Sequence, residues 1–310
     1  MSEHVERPNV RRGPGRPPLT SLKPDVDRLG VCTTPSNVNN MIEFYSAVPS
    51  VFKKIYAQYK ATNVREISMH FEADRVIMSA ISYSEAISLQ TVINCSKAHR
   101  YYCRSPVKIR LSYEQSEKII NRIDAKFFDG IWFIVKQSTV VNNMSIILKN
   151  SGLGATSNHT INLTSAQVPD PIQSWNESEY PLSFKLNRQT FKKYISDIEG
   201  ISAVVTIQRL NNLPLKFMYA SEGGIVTGSE TFSDDAKIGL QMKSASSEAG
   251  DYLVATSVKI SNIKPLSNAQ IAEEVRVYVD NNKPMLICVD MEDSIRTVIS
   301  IKIEDYRGDK

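Results

Sequence analysis

The segment VFKKIYAQYK (Val51–Lys60) decides the fold. Val51, Phe52, Ile55 and Tyr59, with Val48 ahead of them, recur at the spacing of one helix face, while Lys53, Lys54 and Lys60 fall on the other. Such a helix buries one stripe and turns its cations to solvent. Upstream, Ile42 and Phe44 alternate with polar residues, which predicts a strand. Downstream, Ile67, Met69 and Phe71 alternate with Glu66, Ser68, His70 and Glu72, which predicts a strand with one wet face. Further strands are expected at 76–81, 87–93, 107–111, 131–135 and 144–148. A second helix is expected to start at Ser112, which forms a capping box with Gln115 ahead of the inward stripe Tyr113, Ser116, Ile120 and Ile123.

The second half repeats the plan. Leu182, Phe184 and Leu186 alternate as Ile42 and Phe44 do, and Phe191-Lys192-Lys193 repeats Phe52-Lys53-Lys54 in a helix capped by Asn187. A strand over 203–207, a fourth helix over 256–266, paired strands at 275–279 and 285–289 and a last strand over 298–303 follow. A repeat of about 140 residues is far longer than a solenoid unit, so the pattern is a duplicated domain. The organisation expected is a proline-rich basic tail over 1–40, a first domain over 41–166, an acidic proline-containing connector over 167–180 and a second domain over 181–310. Folded structure is expected from Met41.

The 310 residues suffice for two domains of roughly 130 residues each. Hydrophobic residues make up 42 % and charged residues 23 %, as in globular proteins, and no uncharged apolar run approaches the ~20 residues that span a bilayer. The opening residues lack the apolar middle of a secretory signal, which points to an intracellular, reducing compartment. Cys32, Cys95, Cys103 and Cys288 form no C-x-x-C pair, and the four histidines have no ligand spacing, so neither a metal nor a cofactor is expected. Gly152-x-Gly154 lacks the lysine of a phosphate loop, and no catalytic cluster is visible, so an enzyme is not expected.

Charge distribution carries more than the net value of +4. The four helical windows hold ten basic residues, Lys53, Lys54, Lys60, Lys118, Arg122, Arg188, Lys192, Lys193, Lys259 and Lys264, against three acids, Glu114, Glu117 and Asp197. The helices are thus net +7 and the remainder net −3. Helix dipoles favour acids in first turns as much as bases in last turns, so they do not produce this bias. Sequence-independent attraction to phosphates does, and it makes these ten residues candidate contacts for a polyanion.

With its two FKK helices, its acidic connector, Lys264-Pro265-Leu266-Ser267 and the ending Ile301-Lys302-Ile303-Glu304-Asp305, the chain resembles the PCNA-type sliding clamps over about residues 41–305. With RRGPGRPP (Arg11–Pro18) ahead of that core, it is most similar to the clamp-like proteins of large cytoplasmic DNA viruses of the asfarvirus kind. The resemblance implies an α+β fold of two duplicated clamp domains, with helices on the inner face of antiparallel sheets. It also implies a homotrimeric, pseudo-sixfold ring that encircles duplex DNA in the host cytoplasm or nucleus. The ring contact is expected between strands around 144–149 and 224–232. Three features depart from cellular clamps: Ile301 replaces a proline, residues 150–159 look like an insertion, and the N-terminal tail is added.

In such clamps a replication or repair enzyme, whether polymerase, ligase or nuclease, docks through a short peptide in an apolar pocket beneath the connector. Matched motif by motif, that pocket falls on Ile81, Val168, Ile172, Pro284 and Ile301. RRGPGRPP resembles an AT-hook, in which Arg16 enters a narrow minor groove with Arg11 and Arg12 on the phosphates, although Pro14 stands where an arginine is usual. A simple basic tail is the other reading of that segment. Two further readings of the chain are a clamp-fold viral accessory factor that closes no ring, and an AT-hook protein whose globular part only binds partners.

Overall fold

A computed structural model of the protein describes residues 30–164, 176–210, 213–243, 253–268, 272–291 and 294–304. The first half forms β1 (Asn40–Ser46), α1 (Ser50–Ala61), β2 (Glu66–Phe71), β3 (Arg75–Ile81), β4 (Ile87–Asn94), β5 (Arg100–Cys103), β6 (Val107–Ser112), α2 (Tyr113–Ile120), β7 (Gly130–Lys136), β8 (Asn143–Asn150) and β9 (Ala155–Asn162). The second forms β10 (Leu182–Asn187), α3 (Arg188–Glu199), β11 (Val204–Leu210), β12 (Leu215–Ala220), β13 (Thr227–Phe232), β14 (Gln241–Met242), β15 (Leu253–Lys259), α4 (Ile260–Asn268), β16 (Glu274–Val279), β17 (Met285–Met291) and β18 (Ile295–Ile301). Each half therefore runs strand, helix, five strands, helix, three strands.

Sheet order follows the same repeat. The first half contributes the five-stranded sheet β5-β1-β7-β8-β9, and the second contributes the four-stranded sheet β13-β12-β11-β15. The remaining strands join into one nine-stranded sheet, β14-β10-β16-β17-β18-β4-β3-β2-β6. Its seam is the antiparallel β18–β4 pair, in register from Ile295↔Ile93 to Ile301↔Ile87. Across it the hydroxyls of Thr91 and Thr297 lie 2.8 Å apart in the core. Every pair among these strands is antiparallel, as the alternating sequence implies.

Inward residues of the sheets meet the apolar stripes of the helices. Val51, Phe52, Ile55 and Tyr59 are buried, with Phe52 against Phe44 and Phe133 at ring separations of 5.9 and 4.9 Å. The Tyr59 hydroxyl donates to the Met78 carbonyl at 3.0 Å, so a large polar-tipped ring is accommodated at full burial. Phe191, Ile195 and Ile198 play the corresponding part on α3.

Several expectations are corrected. Order begins at least ten residues before Met41: the Gly30 N–H donates to the Ala98 carbonyl and the Cys32 N–H to the Tyr101 carbonyl, both at 2.6 Å, covering β5. The outer face of β2 is not wet, since Ser68 and His70 are buried, because β2 sits inside the nine-stranded sheet beside the long side chains of Lys108 and Arg110. The last helix starts at Ile260 rather than 256, because residues 253–259 pair along the whole of β11. Residues 150–159, expected as an insertion beside a strand, hold the turn of the β8–β9 hairpin and the first half of β9, with Asn150 opposite Ala155 and Gly154 at φ +62° in the turn.

The N-terminal arm is pinned by one carboxylate. Glu43, on β1, is fully buried and accepts from the Ser36 N–H at 2.8 Å, the Asn40 amide at 2.7 Å and the Arg100 guanidinium at 3.0 Å. Burial alone would raise its pKa, but the donors of Asn40, Ser36 and Arg100 outweigh burial and hold it below the ordinary 4.5. This stabilisation is complete above the unfolded carboxyl's range and is lost as pH falls through the lower native value. Glu43→Gln is expected to cost about 1.5–3 kcal/mol near neutrality in chemical denaturation. The difference from the parent should shrink in acid below the native pKa.

Candidate nucleic-acid interface

The four helices found among the described residues form one continuous row. α1 packs beside α2 on one flank and α4 on the other, and α4 packs beside α3. Two side-chain caps fix where helices begin: Ser112 Oγ accepts from the Gln115 N–H at 3.4 Å, and Asn187 Oδ1 accepts from the Gln189 N–H at 2.8 Å. With the apolar stripes turned to the sheets, the opposite side of the row carries the cations.

Six of the ten cations singled out in the sequence make no ion pair with another described residue: Lys53 and Lys54 on α1, Arg122 beyond α2, and Arg188, Lys192 and Lys193 on α3. All are exposed except Arg188, which is half-buried. The other four are paired. Lys60 reaches Glu117 at 3.0 Å, tying α1 to α2, and Lys264 reaches Glu199 at 2.6 Å, tying α4 to α3. Lys118 pairs with Glu114 at 2.7 Å within its own helix. Lys259, at the end of β15 rather than in a helix, pairs with Glu304 at 3.1 Å. Glu199 and Glu304 lie outside the helical windows of the sequence, so the balance of ten bases to three acids becomes ten to five. The surface stays positive, and its free charge gathers at Lys53–Lys54 and Lys192–Lys193, the two FKK repeats.

The sequence-assigned peptide pocket is only partly assembled. Ile81, Pro284 and Ile301 come to one end of the nine-stranded sheet, since Ile81 opposes Ser88 on β4 and Ile301 opposes both Ile87 and Met285. Ile81 is 51 % exposed. Pro284 is half-buried, its carbonyl accepting from the Tyr180 hydroxyl at 2.8 Å. Ile301 is fully buried among inward residues, so it offers no surface to a peptide: the alternation of β18 puts Ser300, itself buried, on the opposite face. Val168 and Ile172 lie outside the described residues, as do Arg11, Arg12 and Arg16. Tyr83, which no sequence pattern marks, stands 62 % exposed beside Ile81, with the Arg65 guanidinium 3.8 Å above its ring. A cavity of about 580 Å³ opens between them.

Among the described residues no group of three or more His, Cys, Asp or Glu side chains is placed to hold a metal, and no helix is long and apolar enough to cross a membrane.

The fold is that of the PCNA-type clamps. The crystal structure of Proliferating Cellular Nuclear Antigen from Entamoeba histolytica superposes with a TM-score of 0.68 over 86 % of this chain and 99 % of that one, at 14 % sequence identity. By sequence the chain is similar to an uncharacterized protein of African swine fever virus. Identity is 21 % over 300 residues for the version from a Kenyan pig isolate, covering 94 % of this chain and 98 % of the relative. For the version from a Malawian tick isolate it is 22 % over 291 residues, covering 92 % and 95 %. No protein-family model matches the sequence.

Because Lys53, Lys54, Lys192 and Lys193 are exposed and unpaired among the described residues, changing all four to glutamate is expected to move folding stability by roughly 0.5 kcal/mol or less per site. Thermal melting of the quadruple variant against the parent checks this.

Proposed function

We propose that the protein is a DNA sliding clamp: copies join head to tail into a closed ring, duplex DNA passes along the helical face, and replication or repair enzymes are tethered to it. One observation carries the reading. The seam β18–β4 joins the last strand of the second half's five-stranded set to the last strand of the first half's four-stranded set. By the repeat, the equivalents of those two edges are β9 and β13. Among the described residues neither has a strand beside it on its outer side. Other edges are met: β5 by Val31 and Cys32, β6 by the Thr164 N–H, and β15 by Glu304 and Asn281, while β14 spans two residues. A β9–β13 junction between copies would repeat the seam inside the chain, and a head-to-tail contact of this kind must close or polymerise. Closure at three copies follows the clamp resemblance. The contact expected at 144–149 moves one strand outward, since that segment is β8, flanked by β7 and β9.

The ring would place six unpaired cations per chain toward the DNA, contacting phosphates and not base edges. The basic tail with Arg11, Arg12 and Arg16 would add a further contact. Clients would dock by a short peptide at Ile81, Pro284 and Tyr83, with the connector segment of Val168 and Ile172 as its cover. The protein is read as a scaffold and not an enzyme, with domains over 41–166 and 181–310.

Light scattering at micromolar concentration is expected to give a mass near three times 34.8 kDa. A strictly monomeric protein overturns the ring. In the same reading, Lys53, Lys54, Lys192 and Lys193 changed together to glutamate weaken duplex binding equally across sequences. The slope of log affinity against log salt then flattens by about 0.9 for each phosphate that is no longer neutralised. Trimer mass stays unchanged. Parental affinity in that variant would show that the helical face meets something else.

A further inference from the structure

A second surface lies on the far side of the molecule from the helices. The outward residues of the five-stranded sheet floor a groove of about 910 Å³, walled on one side by the arm at 34–37 that Glu43 holds in place. Trp132, Ile134 and Ile147 form an apolar strip along its floor, each half-buried. Trp132 is stiffened from the side by its cross-strand partner Tyr45, stacked at 4.7 Å and 28°. Trp132 and Ile147 are direct cross-strand partners, so the strip is continuous.

Charge at this groove has one sign. Lys136 and Lys149 line it, and neither makes an ion pair with a described residue. No described acid lines it, because the nearby Glu43 is buried beneath and already neutralised by Arg100. Lys149 sits opposite Gly130 on β7, and Lys136 lies six residues further along that strand. At about 3.3 Å per residue the two backbone positions are about 20 Å apart, one at each end of the apolar strip.

From this arrangement we infer that the groove is a docking site for an extended acidic peptide of a partner protein, with one or two apolar side chains at its centre and carboxylates about six residues apart at its ends. The apolar centre takes the anchor and the terminal lysines fix position and direction. The chain's own first 29 residues carry six bases against four acids, so their charge does not complement the groove. A nucleic acid strand, which brings a phosphate at every nucleotide, would meet free cations only at the two ends. This surface is separate from both the helical row and the Ile81 end of the nine-stranded sheet, and the inference does not depend on ring closure.

The test uses the full chain and a fluorescein-labelled octapeptide, Asp-Asp-Ser-Leu-Thr-Phe-Asp-Asp, read by anisotropy. Saturable binding is expected, weaker by about tenfold with lysines in place of the aspartates and weaker as salt rises. Lys136→Glu with Lys149→Glu should lower affinity for the acidic peptide by about tenfold and restore binding of the basic one. Ile147→Ser should also weaken binding, and Ile134→Thr provides a milder variant should the serine change reduce melting temperature. Equal binding of acidic and basic peptides, or unaltered affinity in the double lysine variant, overturns the proposal. So does absence of saturation at millimolar peptide, and so does an octathymidylate that binds more tightly than the acidic peptide.

Discussion

The architecture depends on one seam. Seven consecutive residue pairs join β18 to β4 and make a single sheet from strands that begin more than 200 residues apart. Its inward side is Ile295, Thr297, Ile299 and Ile301 against Ile87, Leu89, Thr91 and Ile93, all buried. The only polar members, Thr91 and Thr297, bond each other, so the inward side of the seam leaves no hydroxyl without a partner. Without it each half would hold a five-stranded and a four-stranded sheet with no fixed relation. With it, α1 of the first half meets α4 of the second, and two helix pairs become one row.

That row explains why charge is arranged as it is. Ion pairs Lys60–Glu117 and Lys264–Glu199 each join neighbouring helices within a half, and surface pairs of this kind contribute at most about 1 kcal/mol. Their effect on the field is larger than on stability: they neutralise cations between helices and leave four of the six free ones at the two FKK segments. A polyanion passing the row would meet two concentrated positive stations per chain in place of a uniform film.

Much of this is legible in the sequence where burial and period coincide. The FKK helices, the Ser112 and Asn187 caps and the apolar strands β1, β3, β4, β8, β10, β16 and β17 all carry a clear stripe. The elements that stay hidden have no such stripe. β9 reads ATSNHTIN and β13 TGSETF, with a single large apolar residue each, Ile161 and Phe232, because they are edges. β15 merges with the helix after it because Val254, Val258 and Leu266 satisfy either period over a short window. Ile301 illustrates a different limit: motif position puts it at a docking pocket, but strand parity decides which face a side chain takes, and one residue's shift moves it from surface to core. Acid partners are hidden for the same reason. Glu304 is 45 residues from Lys259, and only the return of the chain beside Ser257 brings them together.

The polar edges also bear on how a ring would behave. Within the chain, the seam is held by main-chain bonds and by eight inward side chains, six of them aliphatic. On the corresponding inward side of the open edges stand Ser157, His159 and Ile161 on β9, and Gly228, Glu230 and Phe232 on β13. A junction between copies would thus gain main-chain hydrogen bonds but bury much less apolar surface than the seam it repeats. The weakest links of such a ring would be its junctions between chains, which would part while each chain stays folded. A closed loop that must be opened to admit a long duplex requires this ordering of strengths. The sequence supplies it by placing isoleucine and leucine on β4 and β18, and serine, histidine and glutamate at the matching edges.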